Sequence, residues 1–143
     1  MGAFTQAFFN RMSGDSTLTA LLGTYGGVPS IFTKTPIPAD YDLATDGAYI
    51  LTSGQAIDLP GEADAKNSAG REISRDIKCY TDIKESPTKV EAIAERVLVL
   101  FQRHKLTVTG FTVDIAEATG PLELDEDDAL GRVVTVRLVM RAT

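Results

Sequence analysis

Residues 85–104, "ESPTKVEAIAERVLVLFQRH", constrain the fold more than any other stretch of the chain. Ser86 is placed to cap a helix, and Pro87 falls at its first position, where a missing N–H is no loss. Val90, Ile93, Ala94, Val97, Leu98 and Phe101 then recur at the spacing that lines one side of an α-helix. Glu91, Glu95, Arg96, Gln102 and Arg103 take the other side. Such a helix is stabilised mainly by burying its stripe, so the rest of the chain must supply a layer to cover it. At 100° per residue Val99 points about 180° away from Val90 and leaves one apolar side chain facing outward.

The covering layer is legible as alternating segments. In "GREISRDIKCYTD", residues 70–82, Ile73, Ile77 and Cys79 share one face while Glu72, Ser74, Asp76 and Lys78 share the other. Arg75 breaks the pattern by falling in the apolar phase. A charge there can keep a strand from pairing with strangers, meet a carboxylate of a second chain, or snorkel to the sheet edge. "TGFTVDIAEA" (109–118) puts Phe111, Val113 and Ile115 on one face. "GRVVTVRLVMR" (131–141) opposes Val134, Val136, Leu138 and Met140 to Thr135, Arg137 and Arg141. A further strand is expected in "GAYILTSG", residues 47–54.

Two short helices lead the chain. "AFTQAFFNRM" spaces Phe4, Phe8 and Met12 by four residues, and "DSTLTALLG" has Asp15 or Ser16 as cap, Leu18, Leu21 and Leu22 on one side, and Gly23 as its stop. Residues 24–46 read as an irregular crossing with at most one brief strand at Ile31 and Phe32. Residues 55–69 read as a long hairpin loop, and connections of that length are more often binding loops or mobile segments. The expected order is α-α-β-β-α-β-β in a single domain, residues 1–143. The fold class is α+β, an antiparallel sheet of about four main strands packed by an N-terminal helical hairpin and the long helix.

Charge and composition narrow the function. A formal net charge of −6 argues against a protein that grips phosphate backbones. No apolar run approaches the roughly 20 residues that span a bilayer, and the expectation is a soluble protein made inside the cell with no membrane role. The lone Cys79 cannot form an internal disulfide and lies in an apolar phase, where a thiol behaves as a small hydrophobe. His104, the only histidine, sits at the end of the long helix, where the helix dipole favours an imidazolium. There is no nucleophile elbow and no phosphate loop, so no enzyme, cofactor or metal site is expected. The acidic run Glu123, Asp125, Glu126, Asp127 and Asp128 fails calcium-loop spacing, because Ala129 and Leu130 stand where a ligand and the turn glycine belong. A solvated loop is the simpler reading.

What remains is surface that a monomer does not need: Arg75, Val99, Arg96 and Arg103 as candidate subunit contacts, and the loop from 55 to 69. The succession "DSTLTALLG", "IF", "TPIPAD", "AYIL", "REISRDIKCYTD", "VEAIAERVLVLF" and "GRVVTVRLVMR" resembles the tail-completion proteins of long-tailed bacteriophages, also described as tail-terminator or head-to-tail joining proteins. The resemblance spans nearly the whole chain and rests on order, not on a catalytic motif; where such proteins often carry a proline before the first core strand, this chain has "DGAYIL".

It implies a virion protein assembled in the host cytoplasm. Such a protein forms a ring, typically a hexamer, on the head-proximal end of the tail tube, ends tube growth and offers a docking surface to the neck. The implied partners are copies of itself, the tail tube protein and a head-completion or connector protein, with DNA passing without specific binding. A ring needs head-to-tail contacts between two unlike patches. Asp58, Glu62 and Asp64, or Asp125, Glu126, Asp127 and Asp128, are candidates for its channel or its axial contacts, since carboxylates repel phosphate. The contrasting expectation is a small cytosolic ligand-binding domain in which residues 23–27 and the long loop close over a pocket.

Overall fold

A computed structural model describes residues 2–52, 57–59 and 70–143, with 57–59 and 70 described as backbone. In chain order the elements are α1 (Ala3–Ser13), α2 (Ser16–Thr19), β1 (Thr24–Tyr25), β2 (Val28–Pro29), β3 (Ile31–Phe32), α3 (Leu43–Asp46), β4 (Tyr49–Leu51), β5 (Ile57–Leu59), β6 (Gly70–Asp82), α4 (Pro87–Phe101), β7 (Phe111–Glu123) and β8 (Ala129–Ala142). The fold is α+β, as the stripes require. One sheet runs β3-β4-β6-β8-β7, with β5 beside β4 on the same edge of β6. It is mixed, not wholly antiparallel, because β3 pairs parallel to β4 through Ile31↔Ile50 and Phe32↔Leu51.

The spine of the sheet is β6 against β8, in continuous register from Gly70↔Arg141 to Asp82↔Ala129. The expected alternation holds along it: Ile73, Arg75, Ile77 and Cys79 are buried, as are Val134, Val136, Leu138 and Met140. These side chains face α4, whose Val90, Ile93, Ala94, Val97, Leu100 and Phe101 are buried. Leu100 thus belongs to the stripe, and Leu98, expected there, is only partly buried. Each fully buried Leu, Ile, Val or Phe contributes about 1.5–3 kcal/mol relative to exposure, so this seam dominates stability. From α1, Phe8 stacks on Phe101 with ring centroids 5.2 Å apart and joins the helical hairpin to the same core.

Four local features differ from the sequence reading. First, β7 does not keep one phase. Its register against β8 jumps between Val113↔Met140 and Ile115↔Val139, so Asp114 is an extra residue. This bulge turns Ile115 to the outer face, 36% exposed, and brings Ala116 and Ala118 inward. Second, β7 continues well past residue 118 through a second irregularity at Gly120 and Pro121. Gly120 has φ +114°, and a Cβ there would lie 2.7 Å from the Val133 carbonyl oxygen. A glycine is what lets the strand carry on. Third, the crossing from 24 to 46 holds the β1–β2 hairpin and the one-turn α3. Its base closes where a Cβ on Gly23 would come 1.9 Å from the Asp46 carbonyl oxygen. Fourth, the segment read as structureless from 55 to 69 contains β5, in which Asp58 pairs with Ile73. Three residues are too few to show a period. Glu62 and Asp64 lie outside the described residues.

Candidate functional site

Arg75 is the first residue to place, because its position in β6 prompted the expectation of a contact between copies. It is 5% exposed and its donors are taken up within the chain. Nε–H donates to Thr52 Oγ1 at 3.0 Å, Nη1 donates to Thr5 Oγ1 at 2.8 Å, and Nη2 donates to the Thr52 carbonyl. The guanidinium also lies 5.5 Å from the Phe8 ring centroid. A planar fork with several donors suits this task, since it ties α1 and the end of β4 to the central strand in one group. Burial lowers its pKa, but a guanidinium stays charged in a protein. Arg75 is therefore an internal brace, and the expectation that a neighbour completes it is corrected.

The other expected contact residues divide. Val99 is 61% exposed on the outward side of α4, as its angular position requires. Arg96 is tied inward by a two-pronged pair, Nε to Asp15 Oδ2 at 2.9 Å and Nη2 to Asp15 Oδ1 at 2.7 Å. Asp15 accepts the Leu18 N–H as well, so one carboxylate caps α2 and anchors it to α4. The Arg96 guanidinium holds the Asp15 carboxyl below its usual range. Arg103 is exposed just past the helix, at φ 56°.

Of the acidic run, Asp125 accepts from the Gly131 N–H at 3.0 Å and from Arg132 Nη1 at 3.0 Å. The Gly131 amide, then Glu123 and Arg132, hold its carboxyl low, while Asp125 itself pushes Glu123 up. Asp125 serves the β7–β8 hairpin. Glu126 lies 3.5 Å from the Tyr80 hydroxyl, whereas the Asp127 and Asp128 carboxylates make no hydrogen bond or ion pair among the described residues. Among the described residues no group of side chains is arranged to hold a metal ion. No helix of the described residues is long and apolar enough to cross a membrane.

Two surfaces were not anticipated. On the face of the sheet away from α4, all four tyrosines gather with Phe32: Tyr25, Tyr41 and Tyr49 each lie within 6 Å of it, centroid to centroid, and Tyr49 packs on Tyr80 at 5.1 Å. Burial first, then neighbouring acidic groups including Glu126, push Tyr49 and Tyr80 to about 12, so both stay neutral. This cluster borders an acidic cleft of about 430 Å³ with Asp40, Asp42, Asp82, Glu126 and Asp128 on its walls. The spacing of the tyrosines in sequence shows no period, and only the fold brings them together.

The second surface is a cleft of about 440 Å³ lined by Asn10, Arg11, Asp15, His104, Thr107 and Thr109, among others. Arg11 is fixed there by donating from Nε to the Leu100 carbonyl at 2.9 Å. Burial, with Arg11 nearby, lowers the His104 pKa, so the imidazole is neutral at pH 7 and the expected imidazolium is corrected. Cys79, by contrast, is as expected: fully buried, with its thiol pushed up to about 12.

No protein-family model and no curated protein matches the chain. Its fold does have solved counterparts. A chain of the virion of a native gene transfer agent (GTA) particle is similar over 96% of this chain and 91% of its own length, at TM-score 0.65 and 20% identity. A second solved chain is similar over 99% of this chain and 94% of its own, at TM-score 0.61 and 13% identity. At these identities the likeness is one of fold, and it extends over essentially the entire chain.

Proposed function

We propose that this protein is a structural virion component of a phage or phage-like particle, which forms a ring, hexameric by resemblance, on the head-proximal end of the tail tube. The observation that carries this reading is the end-to-end likeness to a chain of the gene transfer agent virion, 96% and 91% of the two lengths. That likeness stands beside the order of segments in the sequence. The ring ends tube growth by offering one face to the last tube subunits and a different face to the neck. Its net charge of −6 keeps it from holding the DNA that passes through. The exposed Val99 on α4 belongs to the contact between copies.

The test is to add purified protein to polymerising tail tubes and image the ends by electron microscopy. A cap of density at one end, with tube length falling as protein is added, is the expected result. Tubes that lengthen as before, with bare ends, would sink the proposal.

A further inference from the structure

Beyond Val99, the ring reading leaves open which surfaces meet, and the inference here rests on it. We infer that the acidic hairpin tip of one copy, Glu126 to Asp128, seats in the Arg11–His104 cleft of the next copy. Two requirements single out this pair. A closed ring needs unlike patches on separated parts of the subunit. The tip follows the last residue of β7 and the cleft residues Thr107 and Thr109 precede its first, so the 13 residues of that strand stand between them. At about 3.3 Å per residue they are roughly 40 Å apart.

The patches must also fit in charge and shape. The tip is narrow, closed by the Glu126 N–H donating to the Ala129 carbonyl at 2.8 Å and held to the end of β6 by the Ile83 N–H donating to the Asp128 carbonyl at 3.3 Å, while the Asp127 and Asp128 carboxylates make no hydrogen bond or ion pair among the described residues. The cleft offers the Arg11 guanidinium, held in place through Leu100, with the amide of Asn10 and the hydroxyls of Thr107 and Thr109 as further polar groups. The one carboxylate on its wall, Asp15, is already matched by Arg96. Arg103 precedes and Lys105 follows His104 in sequence, both exposed. Charge-assisted hydrogen bonds from a fixed guanidinium to carboxylates are the stronger kind, and the contact needs no rearrangement of either copy.

The test is a disulfide between copies, using Thr107→Cys with Asp127→Cys. The native Cys79 is buried and does not compete. Within one copy the two positions are far beyond the Cα separation of about 4.4–6.8 Å that a disulfide allows, so any bridge links two copies. Oxidation at capped tube ends is expected to give a ladder of covalent oligomers running up to the closed ring, while either single variant stops at dimers. As a second arm, Asp127→Lys with Asp128→Lys alters only exposed positions and is expected to cut ring occupancy of tube ends by roughly tenfold or more. Rings that form normally in that variant, with no ladder in the cysteine pair, overturn this contact and leave the ring standing. No ring from the wild-type protein overturns both.

Discussion

Arg75 illustrates how a single side chain can be read correctly in phase and wrongly in purpose. The alternation of β6 placed it on the dry face, and it is there. Its partners, Thr5 and Thr52, lie 70 and 23 residues away in sequence, and nothing local announces that two threonines will converge on it. Replacing it by alanine would orphan the buried Thr52 hydroxyl and carbonyl, each costing about 1–3 kcal/mol when left without a partner. Arg75→Ala is therefore expected to lower the stability of the isolated subunit by roughly 2–4 kcal/mol in urea unfolding, and a loss under 0.5 kcal/mol would refute the brace.

Cys79 gives a second expectation at this scale. A thiol raised to about 12 by burial has almost no thiolate at neutral pH, so iodoacetamide should label it only after unfolding. His104 gives a third. It faces Arg11 from α1, beside the Asp15–Arg96 pair, with Arg103 and Lys105 next to it in the chain. Its folded pKa lies below the ordinary 6.5, so the unfolded chain binds more protons in that window. Stability should accordingly decline as pH falls below about 6.5, levelling off below the folded value, and His104→Gln should flatten that part of the profile. An unchanged slope in the variant would assign the effect elsewhere.

At the scale of elements, the long periodic segments were legible and the short ones were not. Helix α4, and the strands β6 and β8, show their period over enough residues for the burial pattern to be forced. The N-terminal helix was equally clear, and Asp15 does cap α2. β1, β2, β5 and α3 are two to four residues long, held by partners that sequence spacing does not encode. β7 failed for a different reason. One inserted residue, Asp114, reverses the phase of everything after it, and its carboxylate gains the Arg141 guanidinium at 2.8 Å. Deleting Asp114 would leave Ile115 opposite Val139 and Ala116 opposite Leu138, so the burial phase is kept and what is lost is the local bend together with the Asp114–Arg141 pair. Thermal unfolding is expected to stay cooperative, with a loss of no more than about 1 kcal/mol, and a collapse of the transition would show that the bend itself is needed. The end of α4 supplies a gentler case. Arg103 holds a left-handed backbone that favours glycine, so Arg103→Gly is expected to raise stability by about 0.5–1 kcal/mol. Circular dichroism melts would read this directly.

For the molecule as a whole, the sequence indicated the layers, and the fold likeness covers them all. The candidate surfaces were only partly within reach. Val99 followed from helix geometry alone, whereas Arg75 and Arg96 proved to be internal ties, and the Arg11–His104 cleft joins residues from both ends of the helical layer. Charge at position 99 tests the assembly reading apart from folding. Val99→Asp should shift subunit stability by no more than about 0.5 kcal/mol, because the position is solvent-facing, and should reduce capping of tubes. Full capping by the variant would remove Val99 from the contact.

The outermost strands carry a consequence of their own. β7 is interrupted by Asp114 and again at Gly120 and Pro121, and β3 at the far side has two residues. β5, the other described outer strand, has three residues, so none of the three offers a long straight row of amides on which a foreign chain could template itself. Concentrated stocks should resist growth into fibrils, and in the proposed ring recognition among copies falls to side chains, whose spacing can stop at a fixed number.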